Sequence, residues 1–350
     1  MISMTRRVFR RTLCGVALSL IGTGAANAVD LKIAHFVPPR HAVSQWIEQW
    51  AKGLEAASDG ELSFKIFPGS QLGPPPKYHG MVKKGQIDIA WLAHGFTPGL
   101  FPLTELSNLP YLVASAEAGT KVINNPTLRK QYLDPEHKGL KPLILMTHQP
   151  GNINMAREPI RTLADLKGKR VRFASSTIKD FMAALGATPV GLPPTQIADS
   201  MQKGTIDGAF IDYGGAGIAF KLGPVTTYTT EMYSYVTSFC VCMNQRRYDK
   251  LPDHLKKLID DSVVGVEQAI GHEWDKLDAI GKDLMVKAGM EPVRLEAEQD
   301  QAFRQAGEQV AKDRVKQLTD KGLPAQAVLD MMRELAKDAN ANSRNFWTGK

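Results

Sequence analysis

The chain has 350 residues, of which 43 are Lys or Arg and 36 are Asp or Glu, for a formal net charge of +7. Four of those basic residues, Arg6, Arg7, Arg10 and Arg11, stand in the first 28 positions, which hold no acid, so the remainder carries 39 against 36 and the strong basic excess of a nucleic-acid binder is gone. No nucleic-acid partner is expected.

The N-terminal arginines precede an apolar run, "LCGVALSLIGTG", and a small-x-small site, "ANA". That pattern predicts a cleavable signal peptide over residues 1–28 and a periplasmic product. "TRRVFRR" also resembles a twin-arginine signal, which leaves two export routes open. No later stretch reaches the roughly 20 apolar residues that a membrane span needs. The chain beyond the signal is larger than one ordinary core and predicts two lobes.

The elements then follow in order. "LKIAHF" reads as a strand, and Val43, Trp46, Ile47, Trp50 and Leu54 recur at helical spacing before "SDG" closes the helix. "LSFKIF", "YHGMVKKGQ" and "IDIAWLA" continue as strand, helix, strand, the rhythm of a parallel sheet covered by helices. Ligands of such sheets collect beyond the carboxyl ends of strands, here at His35 and Phe36 and again at His94. His41, His79, His137 and His254 read as surface residues.

After the strand "LKPLILMTH" and Asn152 the grammar repeats, with "TLADLKGKRVRF", "TIKDFMAALGA", "TPVGL", "PPTQIADSMQKGT" and "IDGAFID". Two α/β lobes of similar plan, facing each other across a cleft, are predicted. "SFCVCMN" is a further strand. Its cysteines, Cys240 and Cys242, share a face, but about 3.3 Å per residue puts their Cα atoms near the upper limit for a disulfide, so two buried thiols are expected. From Leu255 to Met285 helical spacing runs unbroken, predicting one helix of roughly 45 Å, long enough to bridge both lobes. The strand "MEPVRL" and two amphipathic helices, Glu296 to about Lys321 and Pro324 to about Asn342, complete the chain.

The tools of an enzyme are missing. Ser70, Ser175 and Ser176 lie in no nucleophile elbow, and His272 and Glu273 have Lys276 where a zincin places its second histidine. No catalytic residue, metal ligand or cofactor is predicted, and a secreted hydrolase is the rival that this argues against. "GKRVRF" stands out instead. A guanidinium keeps its charge, so Arg172 near the end of a partly apolar strand needs an anion, from inside the chain or from outside.

The segments "LKIAHFVPPRH", "SDGELSFKIFPGSQLG", "MVKKGQIDIAWLAHG", "LSNLPYL", "LADLKGKRVRF", "LGATPVGLPPTQIADSMQKGTIDG" and "MNQRRYDKLPDHLKKLI", in that order, resemble the extracytoplasmic solute receptors of TRAP transporters, the DctP type. The resemblance implies an α/β periplasmic binding fold with two lobes, cross-over hinge strands and a long helix spanning both. It implies a receptor that closes on a small organic acid and hands it to the membrane subunits of a TRAP permease; a monomer is expected. Together the readings divide the chain into one lobe of residues 29–148 and 237–279 and another of 149–236 and 280–350, with hinges near 146–149 and 236–240.

The family's carboxylate-binding arginine corresponds to Arg172, while Arg170 reads as a surface charge. Where some members carry a second arginine, this chain has Asn152, and after the "DG" of the second lobe it has Ile211, Asp212 and Tyr213. One arginine flanked by Phe36, Trp91, Phe173 and Tyr213 points to a monocarboxylate with an apolar or aromatic body. Asp212 would repel a second carboxylate, which leaves a dicarboxylate as the alternative. The expected ligand-binding set is thus Arg172, Asn152, His35, Phe36, Trp91, His94, Phe173, Asp212 and Tyr213.

Overall fold

The computed structural model describes residues 28–344. All of the expected signal peptide except Ala28 lies outside the described residues. Strands form where β-branched and aromatic residues cluster, and three of the helices start where a side chain satisfies a free N–H group: His41 accepts from Val43 N, Ser115 from Ala118 N and Ser175 from Ile178 N.

Eleven strands build two sheets among the described residues. The first contains β1 (Val29–Ala34), β2 (Leu62–Phe67), β3 (Ile89–Ala93), β4 (Leu140–Thr147) and β10 (Ser238–Asn244), in the order β2-β1-β3-β10-β4. The second contains β5 (Gly151–Met155), β6 (Arg170–Phe173), β7 (Thr188–Gly191), β8 (Gly208–Ile211), β9 (Tyr228–Tyr235) and β11 (Glu291–Arg294), in the order β11-β9-β5-β8-β6-β7. In the first sheet β10 enters antiparallel between β3 and β4, and in the second β5 runs antiparallel to β8 and β9. The chain therefore crosses between sheets three times, after β4, after β9 and after β10. Helices bury apolar stripes against both sheets, as βαβ units require.

The expected single helix from 255 to 285 is two helices, Asp253–Asp261 and Glu267–Lys287. Gly265, with φ at +72°, takes the left-handed conformation that breaks the spiral between them. The second helix, about 32 Å long at 1.5 Å per residue, still reaches both halves. Gly271 abuts Glu117 of the first half and Gly281 abuts the backbone of Tyr213 in the second; a Cβ at either would stand 2.4 Å or less from its neighbour.

The C-terminal helices depart from the expected division, which put residues 280–350 with the second sheet. Ala297–Thr319 splits its buried face: Phe303 and Val310 join the second sheet's core, Ala311, Val315 and Leu318 the first's. Ala325–Asn342 packs on the Ala116–Ile123 helix, and its Val328, Leu329, Met332 and Ala336 belong to the first core. Apolar faces follow the surface they can cover, whatever their order in the chain.

The expected pair of free thiols is also corrected, since Cys240 and Cys242 form a disulfide. Their Cα atoms stand 5.3 Å apart, closer than a fully extended strand puts next-but-one neighbours and inside the range a bridge allows.

Candidate ligand-binding site

Arg172 ends its reach in a cavity between the two sheets, lined by residues of both. The residue is 3% exposed, and its Nε donates to the Leu192 carbonyl at 3.2 Å. Among the described residues no carboxylate lies within 4 Å of the guanidinium. Burial pushes its pKa down to about 10, while Tyr235 and Asp212 favour the charged form. A buried guanidinium with both terminal nitrogens unclaimed by side chains offers two parallel donors, the geometry that matches a carboxylate.

Asp212, just past β8, lines the same cavity and is 4% exposed. Its Oδ2 accepts from Gly215 N at 2.9 Å, and its Oδ1 stands 3.8 Å from His148 Nδ1. His148 occupies the first crossing between sheets and Thr237 the second. Thr237 N donates to His148 Nε2 at 3.0 Å, so that nitrogen carries a lone pair and the ring is neutral, with its proton on Nδ1. Nδ1 donates in turn to the Gln149 carbonyl. The histidine thus ties the two hinge segments together at the cavity wall.

The remaining walls are aromatic. Phe36 stacks on Trp91 with ring centroids 4.5 Å apart, Trp91 on Phe239 at 4.6 Å, and Phe239 on Trp274 at 6.1 Å, all within 24° of parallel. Phe96, Phe220 and Tyr235 complete the lining. Burial raises the Tyr235 hydroxyl above its ordinary range, which keeps it neutral beside the arginine. His41 also lines the cavity rather than the protein surface: its Nδ1 accepts from Val43 N, and burial holds it neutral, near pKa 3.

Of the nine expected ligand residues, Arg172, Asp212, Phe36 and Trp91 meet at this cavity, and five stand elsewhere. Phe173 is placed by strand alternation, because Arg172 and Ala174 on either side of it face the cavity, and His94, just past β3, follows Ala93, which faces the cavity in its place. His94 bonds to Ser238 Oγ at 3.0 Å and to His137 Nε2 at 3.1 Å, which also makes His137 a buried residue rather than a surface one. Phe173 packs against the second core. Tyr213 donates to Glu231 Oε1 at 3.0 Å. Asn152 Oδ1 accepts from Met232 N and Tyr233 N, both at 2.9 Å, holding the irregular stretch of β9 where Tyr233 takes φ +45°. His35 is fully buried, and burial lowers its pKa to about 4.

Sequence reasoning missed His148, Tyr235, Phe239 and Trp274. Phe239 and Tyr235 flank the second crossing, which the strand rhythm does locate. Trp274 sits in a helical stripe and carried no separate signal.

Comparison with known proteins gives concordant results. The family described as bacterial extracellular solute-binding protein, family 7 (DctP), matches residues 33–317. The chain is 31% identical, with a TM-score of 0.84, to a TRAP solute binding protein of an unidentified marine metagenome microbe, specific for aromatic acid ligands and solved in complex with 3-hydroxybenzoate; the match covers 89% of this chain and 99% of that one. It is 28% identical, again with a TM-score of 0.84, to a TRAP solute binding protein from Rhodoferax ferrireducens T118 in complex with copurified benzoate, over 90% of this chain and 99% of that one. The C4-dicarboxylate-binding periplasmic protein DctP of Rhodobacter capsulatus is 24% identical over 289 residues, 81% of this chain and 84% of that protein.

Proposed function

The chain belongs to family 7 of the bacterial extracellular solute-binding proteins, and from that membership we propose that it captures a monocarboxylate with an aromatic body and delivers it to a TRAP permease. Receptors of this family bind small organic acids, act in the periplasm with membrane permease subunits and are not enzymes. The finer reading concerns the ligand. One observation carries it: the cavity pairs a single buried guanidinium with a stack of four aromatic rings.

Each part of such a ligand has a counterpart. The carboxylate accepts from Arg172, and the ring slides among Phe36, Trp91, Phe239 and Trp274, where offset stacking adds to the burial of apolar area. Closing the lobes removes water from the ion pair and strengthens it. Aromatic acids in the two similar solved proteins support this choice. A dicarboxylate, as bound by the Rhodobacter capsulatus relative, would need a second cation, and Arg172 is the one Lys or Arg among the described residues lining the cavity. We propose export through the signal peptide at residues 1–28.

Calorimetry of the purified protein with benzoate, 3-hydroxybenzoate, phenylacetate, succinate and malate tests the reading. Aromatic monocarboxylates should bind at least tenfold more tightly than either dicarboxylate. Tighter binding of succinate or malate would overturn it.

A further inference from the structure

The charges that face the cavity set a condition on the ligand beyond being an aromatic acid. Arg172 contributes one positive charge and Asp212 one negative. The two histidines on the wall add none: His148 Nε2 accepts from Thr237 N and His41 Nδ1 accepts from Val43 N, so each ring holds one proton. The empty cavity is therefore balanced. A bare monoanion would leave it with one buried negative charge in excess, and an unbalanced buried charge is among the costliest arrangements in a protein.

Asp212 also has bonding capacity left. Its Oδ2 is engaged by Gly215 N at 2.9 Å, but Oδ1 has only His148 Nδ1 at 3.8 Å, beyond hydrogen-bond length, and that proton is committed to Gln149. Among the described residues no other donor reaches Oδ1. Asp212 and Arg172 line the same cavity from adjacent parallel strands, with Arg172 opposite Ala209, and the Asp212 charge acts on the guanidinium. A donor on the ligand can therefore meet Asp212 while the carboxylate meets Arg172.

We propose that Asp212 is a specificity-determining residue, selecting aromatic acids that carry a hydrogen-bond donor, a hydroxyl or an ammonium, on the carbon next to the carboxylate. The proposal rests on the aromatic-acid reading above and narrows it. A hydroxyl gives Oδ1 the donor it lacks. An ammonium does the same and also returns the loaded cavity to zero net charge. A ligand with only hydrogens there leaves two carboxylates facing each other.

Phenylacetate, mandelate and phenylglycine form a test series, since they differ only in bearing H, OH or NH₃⁺ at that carbon. Dissociation constants are measured by calorimetry for the wild-type protein and for Asp212→Asn, which keeps an oxygen for Gly215 N. The wild type should bind mandelate or phenylglycine at least tenfold more tightly than phenylacetate, and the tighter of the two names the donor. In Asp212→Asn that ratio should fall below threefold, with phenylacetate binding as well as before or better. Equal wild-type affinities across the series, or a preference unchanged in Asp212→Asn, overturn the proposal. If benzoate or phenylacetate binds in those cases, the aromatic-acid reading survives alone. If no aromatic acid binds the wild type, both fall. Melting temperatures of the two proteins verify that the variant folds.

Discussion

Gly95 meets Ala174 across the two sheets so closely that a Cβ on the glycine would stand 2.4 Å from the Ala174 carbonyl oxygen and 2.6 Å from Ser175 Cβ. Ala174 is two residues beyond Arg172. Around this contact Asn108 Nδ2 donates to Ser175 Oγ at 3.3 Å, Thr177 Oγ1 donates to the Glu105 carbonyl at 3.2 Å, and Ser176 Oγ donates to the Glu105 carboxylate. The segment that carries the arginine out of its strand is thus fastened to the opposite lobe. Gly95→Ala should prevent the lobes from meeting at this point. We expect affinity for the aromatic acid to fall at least tenfold, with the melting temperature of the unliganded protein unchanged; calorimetry finding wild-type affinity would refute the role of the contact.

Arg172→Met should separate binding from stability. Loss of the guanidinium removes the carboxylate's partner, at a cost of about 2–5 kcal/mol in affinity. Replacing a buried charge by an apolar chain of similar length is often neutral or stabilising, so the unliganded variant should melt no lower than wild type. A variant that melts much lower would mean that the arginine is held by the protein for structural reasons.

Trp91 and Trp274 are both wall residues and natural reporters. Binding of an aromatic acid should change the intrinsic tryptophan emission, and Trp274→Phe should diminish that change while preserving a ring in the stack. Trp91→Ala is expected to lose about 3–5 kcal/mol of stability, because the ring is fully buried. An emission spectrum indifferent to saturating ligand would place the ligand elsewhere.

Acid should unfold the protein through its buried histidines. Burial lowers His35 to about 4, His41 to about 3 and His137 to about 4, and it holds His94 well below 6.5. Below pH 6.5 the unfolded chain takes up protons that the native state refuses, so stability falls as pH drops and continues to fall until the native values are reached near pH 4 and 3. Each such residue costs several kcal/mol over that interval, at about 1.36 kcal/mol per pH unit. Glu136 and Asp275, which burial raises to about 7 and about 6, take up protons in the native state first and offset part of this loss, so urea midpoints measured from pH 8 to pH 4.5 should decline gently below about 6. Midpoints that rise toward pH 4.5 would contradict the neutral, buried state of these rings.

Reduction of the Cys240–Cys242 bridge should matter little. The loop it closes spans three residues, for which chain entropy gives only about 1–2 kcal/mol. Cys240→Ser with Cys242→Ser should lower the melting temperature by a few degrees and leave ligand affinity within twofold. A large loss of affinity would tie the bridge to the cavity.

Local patterns carried most of the fold. Alternating or continuous apolar runs marked the strands, and the repeat of "KKGQIDIAWLA" in "QKGTIDGAFID" marked two halves of one plan. The exceptions are local conformations that a pattern does not encode. Gly265 breaks an unbroken helical stripe by adopting φ +72°, and a locally shortened β10 puts two cysteines within bridging distance. For the site, Arg172 was legible because a permanent charge in an apolar strand is a conflict that only an anion resolves. Phe173 and His94 were misplaced because the sequence tells which residues end a strand, but not which of its two faces looks into the cleft.

The sequence alone determined the class of chain, the order of its elements and the residue whose charge demanded a partner, since all of these follow from side-chain chemistry and short-range periodicity. Only the tertiary structure decided what stands around that residue. Trp274 arrives from a helix a hundred residues away, His148 and Thr237 from two separate crossings, and Asp212 from a neighbouring strand. Their meeting depends on long-range packing between sheets, and that packing turns a lone arginine into a cavity with a polar end and aromatic walls.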